Sequence, residues 1–285
     1  MKNTVLAATL VTFLSWQNVG VSAAQLDWSL SDFDQPESAL YNPESREILV
    51  SNINGSPVEI NGKGYISRVS ASGEMLEKHW VEGMDAPKGM ALVGDMLYIA
   101  DMQKLHMVNT KTGQLVKSYF EANSKMLNDV SADEKGNIYV SDLLGGGIYR
   151  LKDDEFKLWL KTDLIGHPNG LLAEQQSLYV ANWGQGMHED FSTDELGKVY
   201  RLSLSDPSVA PQAISGPLGN LDGLVRFNGD LIVNDWINGK VFKLNEGKAE
   251  QLFNAGKAAA DISLFQDKLL VPVMFDNRLD VYKLD

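Results

Sequence analysis

Six polar side chains recur at equivalent places along the chain, each at the start of a short apolar run: Glu37, Lys88, Asn128, Asn169, Asp222 and Asp261. Five of the six carry oxygen donors, and three of those five are carboxylates. Hard cations such as Ca²⁺ are bound by carboxylate and amide oxygens, whereas zinc and copper favour imidazole or thiolate ligands. If the fold brings these positions together, they form a site for calcium or another divalent cation.

A second interpretation of the same positions is purely structural. Asn and Asp directly before Gly are common at turns and strand entries, and the repeat alone could require them there, which describes Asn169 and Asp222 well. It does not describe Glu37, and carboxylates that converge repel one another unless a cation lies between them. This electrostatic argument favours the metal site. Lys88 complicates the count, because its ammonium group could neutralise Asp261 or Glu37.

Each polar position opens a pair of predicted strands. In the clearest copy, residues 168–172 are followed by a short polar break and then by residues 177–182, and both runs are short and bounded by turn formers, as strands are. The pattern returns about every 40 residues, with a third and usually a fourth strand-like run behind it. We therefore predict an all-β fold, a six-bladed β-propeller with four-stranded blades.

The two ends of the chain and two long connections complete this prediction. The last repeat ends at Asp285 without a fourth strand, while residues 26–31 form a spare strand at the other end. We predict that this N-terminal strand completes the sixth blade and closes the ring, which removes two exposed edges. The long connections, residues 52–64 and 183–197, are predicted to lie on the same face as the polar positions, where long loops commonly carry function.

The first 24 residues are typical of a secretory signal peptide. Lys2 supplies the positive charge, residues 5–16 the apolar stretch, and Ser22-Ala23-Ala24 a small-residue cleavage site. An uncleaved anchor is the alternative. Residues 25–285 are expected to form a single domain without a membrane span, located in the periplasm or secreted. We expect this domain to be a monomer.

Charge and composition exclude several classes of function. The formal net charge of −13 repels phosphate backbones, so nucleic acid is not an expected partner. The chain has no cysteine, which excludes thiolate-ligated metals and a cysteine nucleophile. The sequence carries neither a serine-hydrolase elbow nor a phosphate-binding loop nor a zinc-protease motif.

Further polar residues lie near the predicted site. His167 precedes the Pro168-Asn169 pair and is a candidate base or substrate contact, and Trp183 and His188 belong to a long connection that could form a lid. His79 and His106 lie within predicted strands, where a packing role is expected. A second recurring polar position ends the second strand of five repeats, and Val273 breaks the pattern in the sixth. There we favour a structural role, because short Asx side chains bind neighbouring backbone amides: Asn52, Asp101, Asp142, Asn182 and Asp235.

At these residues the chain resembles the senescence marker protein (regucalcin)/gluconolactonase family of six-bladed propellers, which is related to the paraoxonases. Glu37 in Glu-Ser, Asn169 in Pro-Asn-Gly-Leu and Asp222 in Asp-Gly-Leu resemble metal ligands of the family, and Asn128 in Asn-Asp resembles a further residue of the site. The chain departs from the family at Met126, where the sugar-lactone enzymes carry Arg. Lys88 and Asp261 also differ from the better-known members.

The resemblance implies an exported, calcium-dependent hydrolase that acts on a small-molecule lactone or related ester. It implies metal ligation by Glu37, Asn169, Asp222 and Asn128, with Asp222 also as the catalytic base. Lys88, Asp261, His167, Trp183 and His188 are then candidates for substrate contact or support of the ligands. The alternative is a non-catalytic propeller that serves as a binding or scaffolding module, since one propeller frame hosts many functions.

Overall fold

The structure is a computed structural model that describes residues 24–285. The predicted signal peptide, residues 1–24, lies outside the described residues except for its last one, Ala24. The described part is built of β-strands with a single 3₁₀ turn, Met274–Asp276. No helix within it has the length and apolar character needed to cross a membrane.

Six four-stranded antiparallel sheets make up the fold, and each sheet is one blade of a propeller. The chain begins with β1 (Gln25–Ser31) and then builds the first three blades in order. Blade one is β2 (Pro36–Asn42), β3 (Glu47–Asn52), β4 (Gly64–Ser70) and β5 (Met75–Met84). Blade two is β6 (Pro87–Val93), β7 (Met96–Asp101), β8 (Lys104–Asn109) and β9 (Leu115–Phe120). Blade three is β10 (Leu127–Ala132), β11 (Ile138–Asp142), β12 (Gly147–Lys152) and β13 (Glu155–Lys161).

The last three blades contain one extra hairpin and the closure of the ring. Blade four is β14 (Pro168–Glu174), β15 (Ser177–Asn182), β18 (Val199–Ser203) and β19 (Gln212–Ala213), and its insertion is the hairpin β16 (Gly184–Met187) and β17 (Thr193–Leu196). Blade five is β20 (Leu221–Phe227), β21 (Asp230–Asp235), β22 (Lys240–Asn245) and β23 (Lys248–Asn254). Blade six is β24 (Ser263–Phe265), β25 (Lys268–Val273), β26 (Arg278–Lys283) and β1. The predicted six-bladed, four-stranded architecture is confirmed.

The N-terminal strand closes the ring as predicted. Strand β1 pairs antiparallel with β26, from Gln25 opposite Lys283 to Ser31 opposite Arg278. The inner strands of the first and last blades are also joined, because the backbone N–H of Asp261 donates to the carbonyl of Glu37 at 2.9 Å. The ring is therefore closed twice, by the pairing of β1 with β26 and by the contact between the inner ends of blades one and six. Closure of the ring is how a propeller protects its edges.

Apolar residues that alternate along the strands pack between neighbouring blades. Strand β25 shows the extreme case, since Leu269, Leu270, Val271 and Val273 are all buried. Outer strands such as β9 are mostly exposed. Burial therefore decreases from the second strand of a blade to its outermost strand.

A β-bulge opens the inner strand of blades one to five and sets the direction of the polar side chains. In blade one Pro36 pairs with Asn52 and Ala39 with Val50, so two residues of β2 lie opposite one residue of β3. The same shift occurs at the corresponding places of β6, β10, β14 and β20. Bulges re-aim side chains and are common beside active sites.

The glycines after Asn169 and Asp222 are required by close approach of the inner strands rather than by a turn. A Cβ on Gly170 would lie 1.8 Å from the carbonyl oxygen of Asp222, and one on Gly223 would lie 2.1 Å from the backbone nitrogen of Ile262. Both dipeptides lie inside strands, β14 and β20. Both dipeptides therefore mark strand entries and not turns, and the glycines are needed because neighbouring strands meet at the axis.

Candidate functional site

Five of the six recurring polar residues line one cavity at the axis of the propeller: Glu37, Lys88, Asn128, Asn169 and Asp222. We call these five the polar ring. Each is buried, with at most 5% of its surface exposed. The empty space of the cavity, including its open mouth, is about 440 Å³. The bulged starts of five inner strands thus bring together side chains that are far apart in the sequence.

Three oxygens of the polar ring are buried without a hydrogen-bond partner among the described residues: Glu37 Oε2, Asn128 Oδ1 and Asn169 Oδ1. Buried polar atoms in proteins are nearly always paired, since an unpaired one costs about 1–3 kcal/mol. Three such atoms in the lining of one cavity therefore indicate a ligand of the opposite polarity. All three are hard oxygen donors.

The amide of Asn169 is held in one orientation. Its Nδ2 donates to Asp222 Oδ1 at 2.9 Å and to the carbonyl of Leu221 at 3.1 Å. Because both acceptors require the NH₂ group, the orientation of the amide follows from the network. The Oδ1 atom of Asn169 is left as an acceptor without a donor, and Asp222 is fixed beside it.

The carboxyl groups around the axis are strongly perturbed. Burial, followed by the neighbouring carboxylates of Asp222 and Asp261, raises the pKa of Glu37 well above its usual range. Burial and the charge of Asp261 likewise raise the pKa of Asp222, and the hydrogen bond from Asn169 only partly offsets this. Asp129, beside the ring, has a raised pKa for the same two reasons, burial and Asp261. A cation at the axis would relieve this repulsion.

Lys88 is the cationic member of the polar ring and is only 1% exposed. Its Nζ donates to the carbonyl of Ala86 at 2.7 Å and lies 3.8 Å from the sulfur of Met102. Burial lowers the pKa of Lys88, against the opposing effect of Glu37 and of Asp101. The ammonium group makes no ion pair within the described residues, so the neutralisation of Glu37 or Asp261 by direct contact does not occur there.

The donor set of the ring suits a hard divalent cation. Within residues 24–285 no cluster made only of His, Cys, Asp or Glu side chains, three or more together, could hold a metal ion. The polar ring is of a different kind, because two of its four oxygen-bearing side chains are carboxamides. Mixed carboxylate and amide oxygens are the ligands that Ca²⁺ accepts in flexible geometry, and the three unpaired oxygens are available for it.

Three predicted residues lie outside the lining of this cavity. Asp261 accepts a hydrogen bond from the hydroxyl of Ser38 at 2.7 Å, and burial raises the pKa of Asp261 to about 7. His167 is 2.8 Å from the carbonyl of Leu143 through Nδ1. His188 is exposed on the blade-four hairpin, 3.0 Å from Asp194. Trp183, by contrast, lines the cavity.

The predicted direction of the two long connections agrees with the structure, since each contributes two residues to the cavity: Ile53 and Pro57 from the first, and Trp183 and Phe191 from the second. The sequence analysis missed most of the apolar lining, which includes Ile53, Leu143, Trp236 and Met274. A signal for them exists in the sequence. Each directly follows the last residue of the second strand of its blade, so the same repeat that located the polar ring could have located them.

The strand-end position has the structural role that was predicted. The carboxylate of Asp142 accepts from the backbone N–H groups of Lys125 at 3.0 Å and Met126 at 2.8 Å. Asp101 accepts from the backbone amides of Asp85 and Ala86 in the same manner. These carboxylates therefore hold the loop that leads into the inner strand of their own blade.

A hydrogen-bonded line of Ser118, His106 and Asp101 crosses blade two. His106 lies 2.7 Å from the hydroxyl of Ser118 and 3.0 Å from the carboxylate of Asp101. None of the three lines the axial cavity. The line joins β7, β8 and β9, which agrees with the predicted packing role of His106.

Comparison with known proteins gives the fold. The chain is similar to the solved structure of a gluconolactonase from Xanthomonas campestris, with a TM-score of 0.70, 16% identity and coverage of 93% of this chain and 96% of that one. It is also similar to virginiamycin B lyase from Staphylococcus aureus (TM-score 0.62, 14% identity, 90% and 99% coverage). A chain of a nidogen–laminin complex matches with a TM-score of 0.60, 15% identity, and 79% and 91% coverage. No family model matches the sequence, and no curated protein matches it.

Proposed function

We propose that this chain is a divalent-metal-dependent hydrolase of the gluconolactonase-like class, which opens a lactone or a related ester in the axial cavity. The observation that carries the proposal is the set of unpaired buried oxygens on Glu37, Asn128 and Asn169 beside the carboxylate of Asp222. A non-functional cavity would leave these atoms desolvated without compensation. The fold shared with a gluconolactonase supports the same class.

Glu37, Asn128, Asn169 and Asp222 would hold the cation, and calcium is the ion that their oxygens fit best. When bound, a divalent cation polarises a carbonyl oxygen and stabilises the negative charge that develops during ester hydrolysis. The residues themselves supply position: Asn169 is fixed by its bonds to Asp222 and Leu221, so the two side chains cannot turn independently.

Asp222 is the residue that would take the proton from the attacking water. One of its carboxylate oxygens is held by Asn169 at 2.9 Å, and the other has no hydrogen-bond partner among the described residues. A buried carboxylate with one oxygen held and one oxygen unused is suited to a general base.

Lys88 would donate a hydrogen bond to an oxygen of the substrate. An ammonium group has three donors, and the structure assigns one to the carbonyl of Ala86 and a weaker one to the sulfur of Met102. Lys88 lines the cavity, so the remaining donor is available to a bound molecule. A preorganised donor in a dry cavity stabilises developing negative charge strongly.

The test is a calcium titration of residues 25–285 by calorimetry after removal of metal with a chelator. We expect one site, lost in Glu37→Gln, and calcium-dependent opening of at least one member of a panel of lactones and aryl esters. Mass spectrometry of the product separates hydrolysis, which adds one water, from elimination, which adds none. If the unmodified protein does not bind calcium, the proposal is wrong.

The competing function is a propeller that binds a ligand without converting it. The presence of Lys88 in the ring and of Met126 in the lining favours this alternative, because neither side chain is a ligand for calcium or a similar hard cation. The nidogen–laminin match shows that the same frame is found in a binding complex. Calcium binding without turnover of any lactone or ester would select this function.

Export to the periplasm or the medium, and a monomeric state, remain parts of the proposal. Export follows from the signal-peptide pattern of residues 1–24. Mass spectrometry of the mature protein tests it, with Gln25 expected as the first residue.

A further inference from the structure

A second ring of side chains lies above the polar ring, and it is apolar. Each blade contributes the residue that follows its second strand: Ile53, Met102, Leu143, Trp183, Trp236 and Met274. We call these six residues the apolar collar. Five of them are at most 7% exposed, and Trp236 is half-buried and packs against the others. The collar is the centre of a separate apolar cluster that includes Met126, Ala86 and Ala260.

Backbone register places the collar between the polar ring and the mouth of the cavity. The N–H of Trp183 donates to the carbonyl of His167 at 2.8 Å, and that of Trp236 to the carbonyl of Asn220 at 2.9 Å. His167 and Asn220 lie directly before strands β14 and β20, two residues ahead of Asn169 and Asp222. Two residues of extended chain span at most about 7 Å, so the backbone of the collar lies at most about 7 Å outward from that of the ring. A molecule that reaches the polar ring therefore passes the collar.

Blades four to six form one side of this passage from four aromatic rings in series. The ring centroids of Phe191 and Trp183 are 6.4 Å apart, those of Trp183 and Trp236 are 5.7 Å apart, and those of Trp236 and Phe275 are 5.2 Å apart. These separations lie within the range of favourable aromatic contacts. The wall is continuous from the depth of Trp183 to the surface, where Phe275 is 62% exposed.

Hydrogen bonds fix the aromatic wall in place. The indole Nε1 of Trp183 donates to the carbonyl of Phe191 at 2.8 Å, which ties the blade-four hairpin to the collar. Asn220 donates to the carbonyl of Trp183 at 2.9 Å and to the hydroxyl of Thr193 at 3.0 Å. The aromatic wall is thus preformed, and the indole N–H of Trp183, its deeply buried polar group, already has an acceptor.

The collar offers few groups that could replace the hydration of a sugar, because the indole Nε1 of Trp183 already donates to the carbonyl of Phe191 and only the indole N–H of Trp236 is left. Its aliphatic and thioether side chains have no strong donors or acceptors, and Met126 adds another apolar surface at the level of the cavity. A polyhydroxylated ring would lose its hydrogen bonds to water without compensation, which is unfavourable. An alkyl or aryl group would instead gain by leaving water. The mouth continues this character, because Val58 next to Pro57 is 44% exposed.

We propose that the ligand of this site carries an apolar alkyl or aryl substituent that the collar binds while its carbonyl end reaches the polar ring. The substrate class is therefore an alkyl- or aryl-substituted lactone or ester, and not a sugar lactone. The carbonyl part of this statement rests on the proposed function, whereas the apolar substituent rests on the collar alone.

Binding of lactams tests the collar without requiring turnover, because an amide is far more resistant to hydrolysis than an ester. Three six-membered lactams share one carbonyl: piperidin-2-one, its 6-pentyl derivative and glucono-δ-lactam. Each buried methylene tightens binding about fourfold, so calorimetry in calcium buffer should show the pentyl derivative binding at least about tenfold tighter than piperidin-2-one. Glucono-δ-lactam should bind more weakly than the pentyl derivative. Equal or tighter binding of glucono-δ-lactam would overturn the inference.

Two tryptophan variants test whether the pentyl substituent binds at the collar. Trp236→Ala should weaken binding of the pentyl lactam about tenfold and leave binding of piperidin-2-one unchanged, because only the pentyl substituent reaches the collar. Trp159→Ala is the matched control: Trp159 packs against Tyr139, with centroids 5.2 Å apart, and does not line the cavity. If Trp236→Ala binds the pentyl lactam as tightly as the unmodified protein does, the collar does not bind the substituent.

The two proposals fail in different ways. If the lactams rank as expected but no lactone or ester is opened in calcium, hydrolysis is wrong and the apolar ligand class stands. If lactones are opened and glucono-δ-lactone is preferred over δ-decalactone, the ligand class is wrong and hydrolysis stands.

Discussion

Two polar positions recur in blades one to five, and they differ in how completely their atoms are paired. The strand-end residues and the polar ring are both buried, both rich in Asp and Asn, and separated only by the first hairpin of the blade. Asp142 and Asp101 each accept two backbone N–H groups through their carboxylates. In the polar ring Glu37 and Asn128 keep buried oxygens without partners.

The pKa shifts at the two positions follow this difference in hydrogen bonding. Burial acts to raise the pKa of Asp101, yet the bonds from His106 and from the amides of Ala86 and Asp85 together lower it. Burial also raises the pKa of Asp222, and the single bond from Asn169 does not offset it. Carboxylates buried to a similar depth thus have a lowered pKa in one place and a raised pKa in the other. Pairing of the oxygens decides which.

The largest expected effect is the loss of turnover in Asp222→Asn. This variant removes the proton acceptor and one charged ligand, so kcat/KM for the best lactone of the panel should fall at least about a thousandfold, roughly 4 kcal/mol. The matched control is Asp235→Asn at the strand-end position of the same blade, where the amide oxygen can still accept from Asn220. Less than about a tenfold loss is expected there. Equal losses in both variants would erase the distinction between the two positions.

The stability of the metal-free protein should fall as the pH rises. Burial raises the pKa of Asp261 to about 7 and that of Glu37 and Asp222 well above the usual range. Between about pH 4 and 7 the folded chain therefore binds more protons than the unfolded chain, so the stabilisation is complete below about pH 4 and is lost through pH 7. For Asp261 alone the shift corresponds to about 4 kcal/mol.

Urea unfolding between pH 5.5 and 8.5, with chelator and with calcium, measures this dependence. Calcium should restore stability at the alkaline end, because a cation offsets the charge of the ionised carboxylates. A stability that rises with pH in chelator would contradict the raised pKa values of the ring.

Removal of a strand-end carboxylate should cost more stability than removal of a ring amide in the same blade. Asp142→Ala leaves the backbone N–H groups of Lys125, Met126 and Gly145 without their acceptor, and about 1 kcal/mol for each gives a loss of about 3 kcal/mol. Asn128→Ala removes an oxygen that has no partner, so the change should be within about 1 kcal/mol. Chemical denaturation of both metal-free variants makes the comparison. A larger loss for Asn128→Ala would reverse the assignment of roles.

The smallest effect is expected for Lys88→Met. The variant loses the 2.7 Å hydrogen bond to the carbonyl of Ala86, which is worth about 1 kcal/mol, and it no longer buries an ammonium group. The two contributions oppose each other, so the free energy of unfolding should change by about 1 kcal/mol or less. Thermal unfolding of the metal-free protein measures it. A loss above about 3 kcal/mol would mean that Lys88 neutralises Glu37 when the metal is absent.

The amino-acid pattern was sufficient for the architecture and for most of the ring. Short strands and turn residues are local features, so the repeat of about 40 residues located six blades, the closing strand at residues 26–31 and five of the residues that line the cavity. It also placed both long connections on the correct face. The repeat could equally have located the apolar collar through the residue after each second strand.

Tertiary structure alone decided how the oxygens of the recurring inner-strand positions are paired, because their partners come from other blades. Asn169 binds Asp222 across a separation of 53 residues, and Ser38 binds Asp261 across 223 residues. Asp261 and Asn169 occupy the same place in the repeat, yet one oxygen of Asp261 accepts from the hydroxyl of Ser38, whereas Oδ1 of Asn169 has no hydrogen-bond partner among the described residues. Local sequence fixes where a strand begins, whereas hydrogen-bond pairing at the axis depends on how six strands meet.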